Sequence, residues 1–337
     1  MIFKKYRTLL ILVLVMALFG GCAAPKTNNE PIQIKIGHTD SSERSTHQWS
    51  MWLGEYLNEK APGKFIVEVF PEGSLGDTPD LIAGVLSGEV TMAFDLSAAV
   101  AAVAGPEAAC IDLPFLYPTY EDWIKGTFEN GGLALFNEEL KPYGYYCIDM
   151  YYNGMRQVIS REKIYHNPDD LAGQKVRIAQ NELNIMLWQA MGANPTPMAW
   201  GSVIGSLQHG QIDALDHSLG VFNDFDLHTI APYVTLTNHA SSPFPIITSL
   251  KWIEGLDKDL RTIFEQGVHE MARHQRQAER EKESEYIDRF IAEGATVDTL
   301  TPEETAVFIQ TVKPVYDSWR EKTGDKVMDA WLSTVPK

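Results

Sequence analysis

Residues 32–70 read IQIKIGHTDSSERSTHQWSMWLGEYLNEKAPGKFIVEVF, and this stretch decides the fold class. Isoleucine alternates with polar residues over 32–36, which predicts a first β-strand. Apolar residues then recur at helical spacing between Ser45 and Lys60, until Pro62-Gly63 breaks the pattern. The run FIVEVF at 65–70 predicts a second strand. A strand, a helix and a second strand in this order indicate an α/β fold.

The alternation of strands and helices continues along the chain and then restarts. We predict a helix at 78–87, a strand at 90–94, and a second α/β unit from about Tyr152 to His239. The elements predicted from residue 145 onward are strands at 145–152, 175–178 and 212–215 and helices at 181–191 and 202–209. Because strands alternate with helices, we expect mostly parallel sheets.

A long stretch from Asp257 to Glu293 contains no proline and one glycine, which favours a single helix. Its apolar stripe is interrupted by the polar run RHQRQAEREKESE at 273–285. We therefore expect a helix that packs at both ends, is solvated in the middle and bridges two domains. Two helices with a solvated joint are the alternative. A last helix is predicted from Pro302 to about Trp319.

The overall composition excludes several classes of protein. The chain has 337 residues, 45% hydrophobic and 22% charged, which suits one large or two medium globular domains and not a disordered chain. After the N-terminus there is no apolar run of 18 residues, so a polytopic membrane protein is excluded. With 28 Lys and Arg against 45 Asp and Glu, the net charge of -17 makes nucleic-acid binding unfavourable.

The N-terminus has the pattern of an export signal. Lys4, Lys5 and Arg7 precede a short apolar stretch, and two small residues then come directly before Cys22. We interpret residues 1–21 as a lipoprotein signal peptide, Cys22 as the lipid attachment site and 22–31 as a polar tether. Signal cleavage nearby without lipidation, or an uncleaved anchor, are the alternatives. The interpretation places the protein outside the cytoplasm, lipid-anchored at the outer face of the cytoplasmic membrane or in the periplasm.

No catalytic signature occurs in the chain, neither a nucleophile elbow, a zinc-protease helix, a phosphate-binding loop nor a dinucleotide fingerprint. His209, Asp213, Asp216 and His217 cluster without an established metal-ligand spacing. We therefore expect no enzyme activity, no bound metal and no cofactor. The remaining cysteines, Cys110 and Cys147, could form a disulfide or stay as two separate buried thiols.

Two arginines are the strongest candidates for a binding role. Arg177 lies within the short, mostly apolar strand KVRI, and Arg156 follows the strand that ends near Asn153. A buried arginine needs a carboxylate, which its planar guanidinium can bind with two hydrogen bonds. That carboxylate could belong to a ligand or to this acidic chain itself, as a structural salt bridge.

The segments around these arginines resemble the solute-binding proteins of TRAP transporters (tripartite ATP-independent periplasmic transporters) of the DctP type. The run GANPTPMAW at Gly192, with KVRI upstream at Lys175, is the specific part of the resemblance. Other resembling segments lie in the same order over nearly the whole mature chain: IGHT at Ile36, VEVFPEGSLGD at Val67, IDLPFLY at Ile111, NGMRQV at Asn153, NPDDLAGQKVRI at Asn167 and LQHGQIDA at Leu207.

The resemblance implies an α/β clamshell of two domains, like a periplasmic binding protein, with a long helix that spans both. We assign residues 32–153 plus 243–280 to lobe I and residues 154–242 plus 281–337 to lobe II. A small ligand would bind between the lobes.

The resemblance also implies roles for residues of lobe II. Arg177 would pair with a ligand carboxylate, Arg156 would reinforce it, and Trp200 would line the pocket wall. His217 departs from the family pattern, because many members have an asparagine there that contacts the ligand. Asp216, its neighbour, would contact the ligand or bond a loop or His217.

Lobe I should contribute polar groups from loops at the carboxyl ends of its strands, where ligands gather in open α/β folds. His38 and Thr39 follow the first strand, Asp77 opens a helix, and Asp95 follows the third strand. Helix capping for Asp77 and turn formation for Asp95 are the structural alternatives.

The function implied is that of an extracytoplasmic binding protein that captures a small organic carboxylate, a sugar acid or a dicarboxylate. It would deliver this ligand to a membrane permease of a small and a large subunit. The expected partners are thus the ligand, the permease and, through the lipid anchor, the membrane, but not nucleic acid. A ligand-sensing subunit that feeds a receptor, or an exported enzyme, are the alternatives.

Overall fold

A computed structural model describes residues 30–337 of the chain. The predicted signal peptide, Cys22 and nearly all of the tether lie outside the described residues. Among the described residues, no helix combines the length and apolar character needed to cross a membrane.

Strands and helices alternate over the first two thirds of the described chain, and helices dominate the last third. The strands are β1 Ile32–Gly37, β2 Phe65–Phe70, β3 Met92–Phe94, β4 Tyr145–Met155, β5 Gln157–Ser160, β6 Lys175–Ile178, β7 Asn194–Pro197, β8 Ala214–His217, β9 Tyr233–Leu236, β10 Ser241–Ser249 and β11 Thr296–Thr299. The helices are α1 Ser45–Lys60, α2 Thr78–Ser87, α3 Ser97–Ala104, α4 Tyr120–Ile124, α5 Gly132–Leu140, α6 Glu182–Ala190, α7 Val203–Gln208, α8 Leu219–Asp224, α9 Leu250–Glu254, α10 Lys258–Ala292, α11 Pro302–Thr311, α12 Lys313–Thr323 and α13 Asp325–Ser333.

The strands form two sheets, with the orders β2-β1-β3-β10-β4 and β11-β9-β5-β8-β6-β7. We call them sheet A and sheet B. Both sheets are mostly parallel, as expected, with one reversed strand in each: β10 runs antiparallel to β3 and β4, and β5 runs antiparallel to β8 and β9. The chain enters sheet B from sheet A at β5 and returns to sheet A at β10, so each reversed strand follows a crossing between the sheets. The clamshell of two α/β units is confirmed.

The chain crosses between the sheets twice in the described residues before α10, from β4 to β5 and from β9 to β10. Arg156 alone separates β4 from β5, so it lies at the first crossing. Each sheet packs its apolar residues against helices. In sheet A, Ile34 and Ile36 pack with Leu53 of α1, and in sheet B, Leu215 packs with Phe222 of α8.

Helix α10 is a single helix of 35 residues, which confirms the predicted long helix and excludes the alternative of two. It packs against α1 and β4 at one end and against α8 and β11 at the other. The prediction of a solvated middle is wrong at Gln275 and Glu279, which are fully buried. The side chain of Gln275 accepts a hydrogen bond from the backbone N–H of Tyr152 and donates one to its carbonyl, both at 2.8 Å. The polar run is therefore buried where α10 crosses the end of β4.

The chain after α10 differs from its predicted form. The single helix expected over 302–319 is two helices, α11 and α12, with Pro314 in the first turn of the second. Sequence analysis missed α13. Helix α12 packs near residues 106–114, since Tyr316 and Trp319 donate hydrogen bonds to the carbonyls of Pro114 and Pro106. These contacts join a helix we assigned to lobe II to residues of lobe I, and the lobe boundaries stay a prediction.

Candidate functional site

A cleft of about 1510 Å³ lies between the two sheets and is lined by residues from both. Sheet A and its loops contribute one wall, which includes Thr39, Asp77 and Asp95. Sheet B and its loops contribute the other wall. The predicted site residues on that wall are Arg156, Arg177, Trp200 and His217. The structure thus brings seven of the nine predicted binding residues to one cavity.

Arg156 is buried and has a carboxylate partner within the protein. Its Nε donates to Asp216 Oδ2 at 2.6 Å, and its Nη2 donates to the Asp216 carbonyl at 2.9 Å. His239 Nε2 lies 3.2 Å from the same carboxylate oxygen. Burial alone would raise the pKa of Asp216, but Arg156 and the hydrogen bond from His239 outweigh burial and hold that pKa well below its usual value. The structural salt bridge considered for Arg156 therefore exists.

Arg177 is also buried, with 5% of its surface exposed. Its Nε and Nη2 both donate to the Met198 carbonyl, at 3.2 and 2.8 Å. Within residues 30–337, no carboxylate oxygen lies within 4.0 Å of its guanidinium. Burial, which disfavours the charged form, lowers the pKa of Arg177 to about 10. Arg177 is therefore a buried cation on the cleft wall whose charge has no close counter-ion in the described chain.

The Arg177 guanidinium lies beside Trp200, which packs against a second aromatic ring. The Arg177 guanidinium carbon lies 5.3 Å from the ring centre of Trp200, within the range of a cation–π contact. Trp200 in turn meets Phe225 edge-on, with ring centres 5.1 Å apart. Trp200 lies in the short turn Trp200–Ser202 that precedes α7, so the loop after β7 places the ring against the cleft.

His217, at the end of β8, is 8% exposed and lines the cleft. The backbone N–H of Ser218 donates to its Nδ1 at 2.9 Å, so the ring proton must lie on Nε2. Burial, and then the charge of Arg156, lower the pKa of His217 well below its ordinary value. His217 is therefore a neutral side chain that offers an N–H donor.

The sheet A wall carries carboxylates. Asp95, directly after β3, accepts hydrogen bonds from the Thr39 hydroxyl at 3.3 Å, from the Thr78 hydroxyl, and from the Leu96 N–H at 2.7 Å. Burial raises its pKa. Asp77 lines the same wall and forms a capping box with Asp80 at the start of α2. The capping role considered for Asp77 is therefore present as well.

Two predicted binding residues, His38 and Asp216, are absent from the cleft lining because both are fully buried behind it. His38 stacks on Phe94 with ring centres 4.8 Å apart, and its Nε2 lies 3.1 Å from His47 Nδ1. Burial lowers the pKa of His38 to about 4, so the ring is neutral. Asp216 pairs with Arg156 and reaches the cleft only through it.

Sequence analysis missed Arg44, which is buried and joins both walls of the cleft. Its Nη1 pairs with Asp224 of α8 at 2.7 Å, and its Nη2 donates to Asn153 Oδ1 at 2.6 Å and lies 3.7 Å from Glu279 of α10. Arg44 sits in the polar loop SSERS, where nothing local suggests burial. Its partners follow it by 109 to 235 residues, so no sequence pattern could have shown the cluster.

The cysteines and Asp213, which the sequence analysis considered as reactive groups, have structural surroundings. Cys110 and Cys147 are both buried free thiols, which decides between the two alternatives. Asp213 accepts a hydrogen bond from the Lys175 N–H at 2.8 Å, away from Asp216 and its arginine.

The model of the DctP family, described as bacterial extracellular solute-binding protein family 7, matches residues 36–322. The chain belongs to this family. The resemblance noted in the sequence is therefore confirmed, and the family is one of solute-binding proteins.

Curated members of the DctP family match over nearly the whole chain. The C4-dicarboxylate-binding periplasmic protein DctP of Vibrio cholerae is 27% identical over 330 residues, which cover 97% of this chain and 98% of that protein. The 2,3-diketo-L-gulonate-binding periplasmic protein YiaO of Escherichia coli is 26% identical over 95% of this chain and 94% of that protein.

Solved structures of solute-binding proteins are also similar to this chain over most of its length. The sugar acid binding protein DctPAm of Advenella mimigardefordensis, in complex with galactonate, aligns with a TM-score of 0.81 at 25% identity, over 90% of this chain and 98% of that one. A TRAP periplasmic solute-binding protein of Ochrobactrum anthropi aligns with a TM-score of 0.85 at 25% identity, over 91% and 95%.

Proposed function

We propose that this DctP-family protein captures a small organic acid in the cleft and that Arg177 anchors the ligand carboxylate. One observation carries the proposal: Arg177 is a buried cation on the cleft wall with no carboxylate partner within 4.0 Å in residues 30–337. A buried charge without a partner is costly, so it marks a place where a charged ligand supplies the missing partner. The planar guanidinium suits a carboxylate, which can accept two parallel hydrogen bonds from it.

Arg156 and the walls around Arg177 support the anchor role. Because Arg156 already pairs with Asp216, its charge is largely balanced within the protein, which leaves Arg177 as the stronger anchor for a ligand carboxylate. Trp200 covers one side of Arg177, and His217 offers its Nε2–H at the same wall. Related proteins are named for C4-dicarboxylates and 2,3-diketo-L-gulonate, and one related structure holds galactonate. A sugar acid or a dicarboxylate is therefore the ligand class we propose.

Capture would proceed by closure of the two lobes about the strands that connect them. A ligand that touches both walls shifts the population toward the closed form, since only that form completes its contacts. We further propose that the protein is exported and lipid-anchored through Cys22, and that the loaded form delivers the acid to a membrane permease. Turnover of the bound acid is not expected.

The anchor role predicts that Arg177→Gln loses most of its affinity for every acid that the wild-type protein binds. The substitution removes the charge that balances the carboxylate, and we expect a loss of at least about a hundredfold. A thermal-shift screen with a library of organic acids, sugar acids and neutral sugars identifies the ligand first. A ligand at 100 times its Kd adds about 2.7 kcal/mol to the free energy of unfolding. Isothermal titration then gives the affinities.

Arg273→Gln is the matched control, because Arg273 is exposed on α10 and contacts Glu270 and His274 of the same helix. It should bind like the wild-type protein. Unchanged affinity in Arg177→Gln would refute the anchor role. A thermal shift with neutral sugars alone would refute the ligand class.

A further inference from the structure

Unpaired charges of opposite sign face the cavity from the two sheet walls of the cleft, whereas Arg44 and Asp224, which also line it, pair with each other. On the sheet B wall, Arg177 has no counter-ion within 4.0 Å among the described residues, and His217 is a neutral donor. On the sheet A wall, Asp40, Asp77 and Asp95 line the cavity, and within residues 30–337 none of the three has a basic group within 4.0 Å. A ligand that bridges the walls therefore meets a cation at one end and carboxylates at the other.

Asp95 is the best-placed of these acids because the fold holds it firmly. Three donors fix its carboxylate: the hydroxyls of Thr39 and Thr78, and the backbone N–H of Leu96. An ionised carboxylate has about four acceptor sites, so one site remains for a further donor. Each of the three donors is neutral, and the negative charge of Asp95 is therefore left uncompensated at the cleft.

A second observation is a donor on the sheet B wall that is free to bind a ligand. His217 is more than nine-tenths buried and lines the same cavity, and its Nε2–H has no hydrogen-bond partner in the described residues. The Nε2–H opens onto the cleft on the wall that carries Arg177, so it is available to a ligand acceptor. The sheet B wall therefore offers Arg177 and His217 to a ligand as donors, and the sheet A wall offers Asp95 as an acceptor.

We propose that Asp95 is a specificity-determining residue that selects the charge at the far end of the ligand. The ligand carries one carboxylate, bound at Arg177, and its other end carries hydroxyl or ammonium donors that Asp95 can accept. A second carboxylate at that end is rejected, because it would meet Asp95 as a like charge and bring no proton to share. This inference rests on the proposed function, and it narrows the proposed ligand class from sugar acids and dicarboxylates to monocarboxylates with a donor-bearing tail.

Galactonate and galactarate test this charge selection directly. Both are six-carbon polyhydroxy acids, and they differ at one end, which is a hydroxymethyl group in galactonate and a carboxylate in galactarate. The same comparison with 4-hydroxybutyrate, 4-aminobutyrate and succinate varies the end group on a four-carbon chain. Isothermal titration of the wild-type protein should give at least about tenfold weaker binding for the dicarboxylate of each series that binds, which equals about 1.4 kcal/mol.

Asp95→Asn removes the charge and keeps oxygen for the threonine hydroxyls. In this variant we expect the preference for the monocarboxylate to fall by about tenfold. Glu89→Gln is the control, because Glu89 is exposed before β3, at the opposite end of the strand from Asp95, and should leave the preference unchanged. Thermal unfolding without ligand shows whether each variant is folded.

The outcomes separate the two proposals. If a dicarboxylate binds the wild-type protein as tightly as its monocarboxylate partner, or if Asp95→Asn keeps the wild-type preference, charge selection by Asp95 is refuted and the anchor at Arg177 stands. If no acid of either series or of the wider library binds, the proposed function fails and this inference fails with it.

Discussion

The protonation of single residues decides what the cleft can bind. His217 cannot carry a proton on Nδ1, because that atom accepts the Ser218 N–H, and its pKa is held well below the usual value by burial and by Arg156. Arg177 keeps its charge up to its pKa of about 10. The two donors on the sheet B wall, Arg177 and His217, are therefore fixed in one charge state through the neutral range of pH.

This predicts a flat pH profile for ligand affinity. Between pH 6 and 8 the affinity for a fully ionised acid should change by less than about twofold, since neither His217 nor Arg177 titrates there. As the pH rises toward 10, Arg177 loses its proton and binding should weaken. Calorimetric titration across pH 6 to 10 measures both. Affinity that grows severalfold from pH 8 to pH 6 would show that His217 gains a proton on binding, against this account.

Sequence reasoning identified Arg177 because an arginine within a short, mostly apolar strand is unusual, and the neighbouring residues alone show this. Sequence reasoning could not show which of the two arginines, Arg156 or Arg177, lacks a carboxylate partner in the described residues. Arg156 meets Asp216 sixty residues later in the chain, and His38 packs on Phe94 of another strand. Such pairings depend on how distant strands align, and no pattern in the sequence between them encodes that alignment.

At the scale of elements, strand β4 and helix α10 pack together and support both walls of the cleft. Asp149 of β4 is buried and receives Arg276 and His269 of α10, at 2.5 and 2.6 Å. Gln275 adds hydrogen bonds to both backbone groups of Tyr152. A helix with so many polar residues in its middle is thus fixed to the strand by specific pairs and not by apolar packing alone.

His269 makes this joint sensitive to pH. The hydrogen bond to Asp149 raises its pKa above the ordinary value of 6.5. A group whose pKa is raised on folding stabilises the fold fully below its unfolded pKa, and this stabilisation is lost as the pH rises through the folded pKa. His269→Gln should therefore lower Tm more at pH 5.5 than at pH 9. The effect should be small, because about half of the His269 side chain is exposed to solvent.

Differential scanning calorimetry of the wild-type protein and His269→Gln at the two pH values measures this difference. His209→Gln is the control, because His209 is an exposed histidine after α7. An equal loss of Tm at both pH values would mean that the His269–Asp149 pair does not depend on the charge of His269.

Elements with strong local patterns were the ones that sequence predicted well. β1, α1 and β2 have the predicted bounds, since alternation and helical spacing are carried by the residues themselves. The strand expected at 212–215 lies at Ala214–His217, because apolar side chains alone did not show which residues pair with β5. The buried middle of α10 was missed for the same reason, since its burial depends on the crossing of β4.

At the scale of the whole molecule, Arg44 connects the two halves of the clamshell. It precedes α1 beside sheet A, and its guanidinium pairs with Asp224 of α8 beside sheet B. Glu279 and Asn153 hold the same guanidinium from α10 and from β4. Since the Arg44–Asp224 pair links the two sides of the cleft, opening of the cleft must break it or move both partners together.

Asp224→Asn should therefore favour the open form. We expect a larger radius of gyration without ligand, a return to the wild-type value at saturating acid, and roughly fivefold weaker binding, equal to about 1 kcal/mol. Small-angle X-ray scattering and calorimetric titration measure these quantities. Asp226→Asn is the control, because Asp226 pairs with Arg289 and not with Arg44. Identical scattering of Asp224→Asn and the wild-type protein would show that the pair does not restrain opening.

The anchor at Arg177 is the claim on which the rest depends, and a crystal structure of the protein with the acid that gives the largest thermal shift tests it most directly. We predict one ligand carboxylate within hydrogen-bond distance of the Arg177 guanidinium, with the donor-bearing end of the ligand toward Asp95. An acid bound outside the cleft, or bound with its carboxylate away from Arg177, would contradict the account.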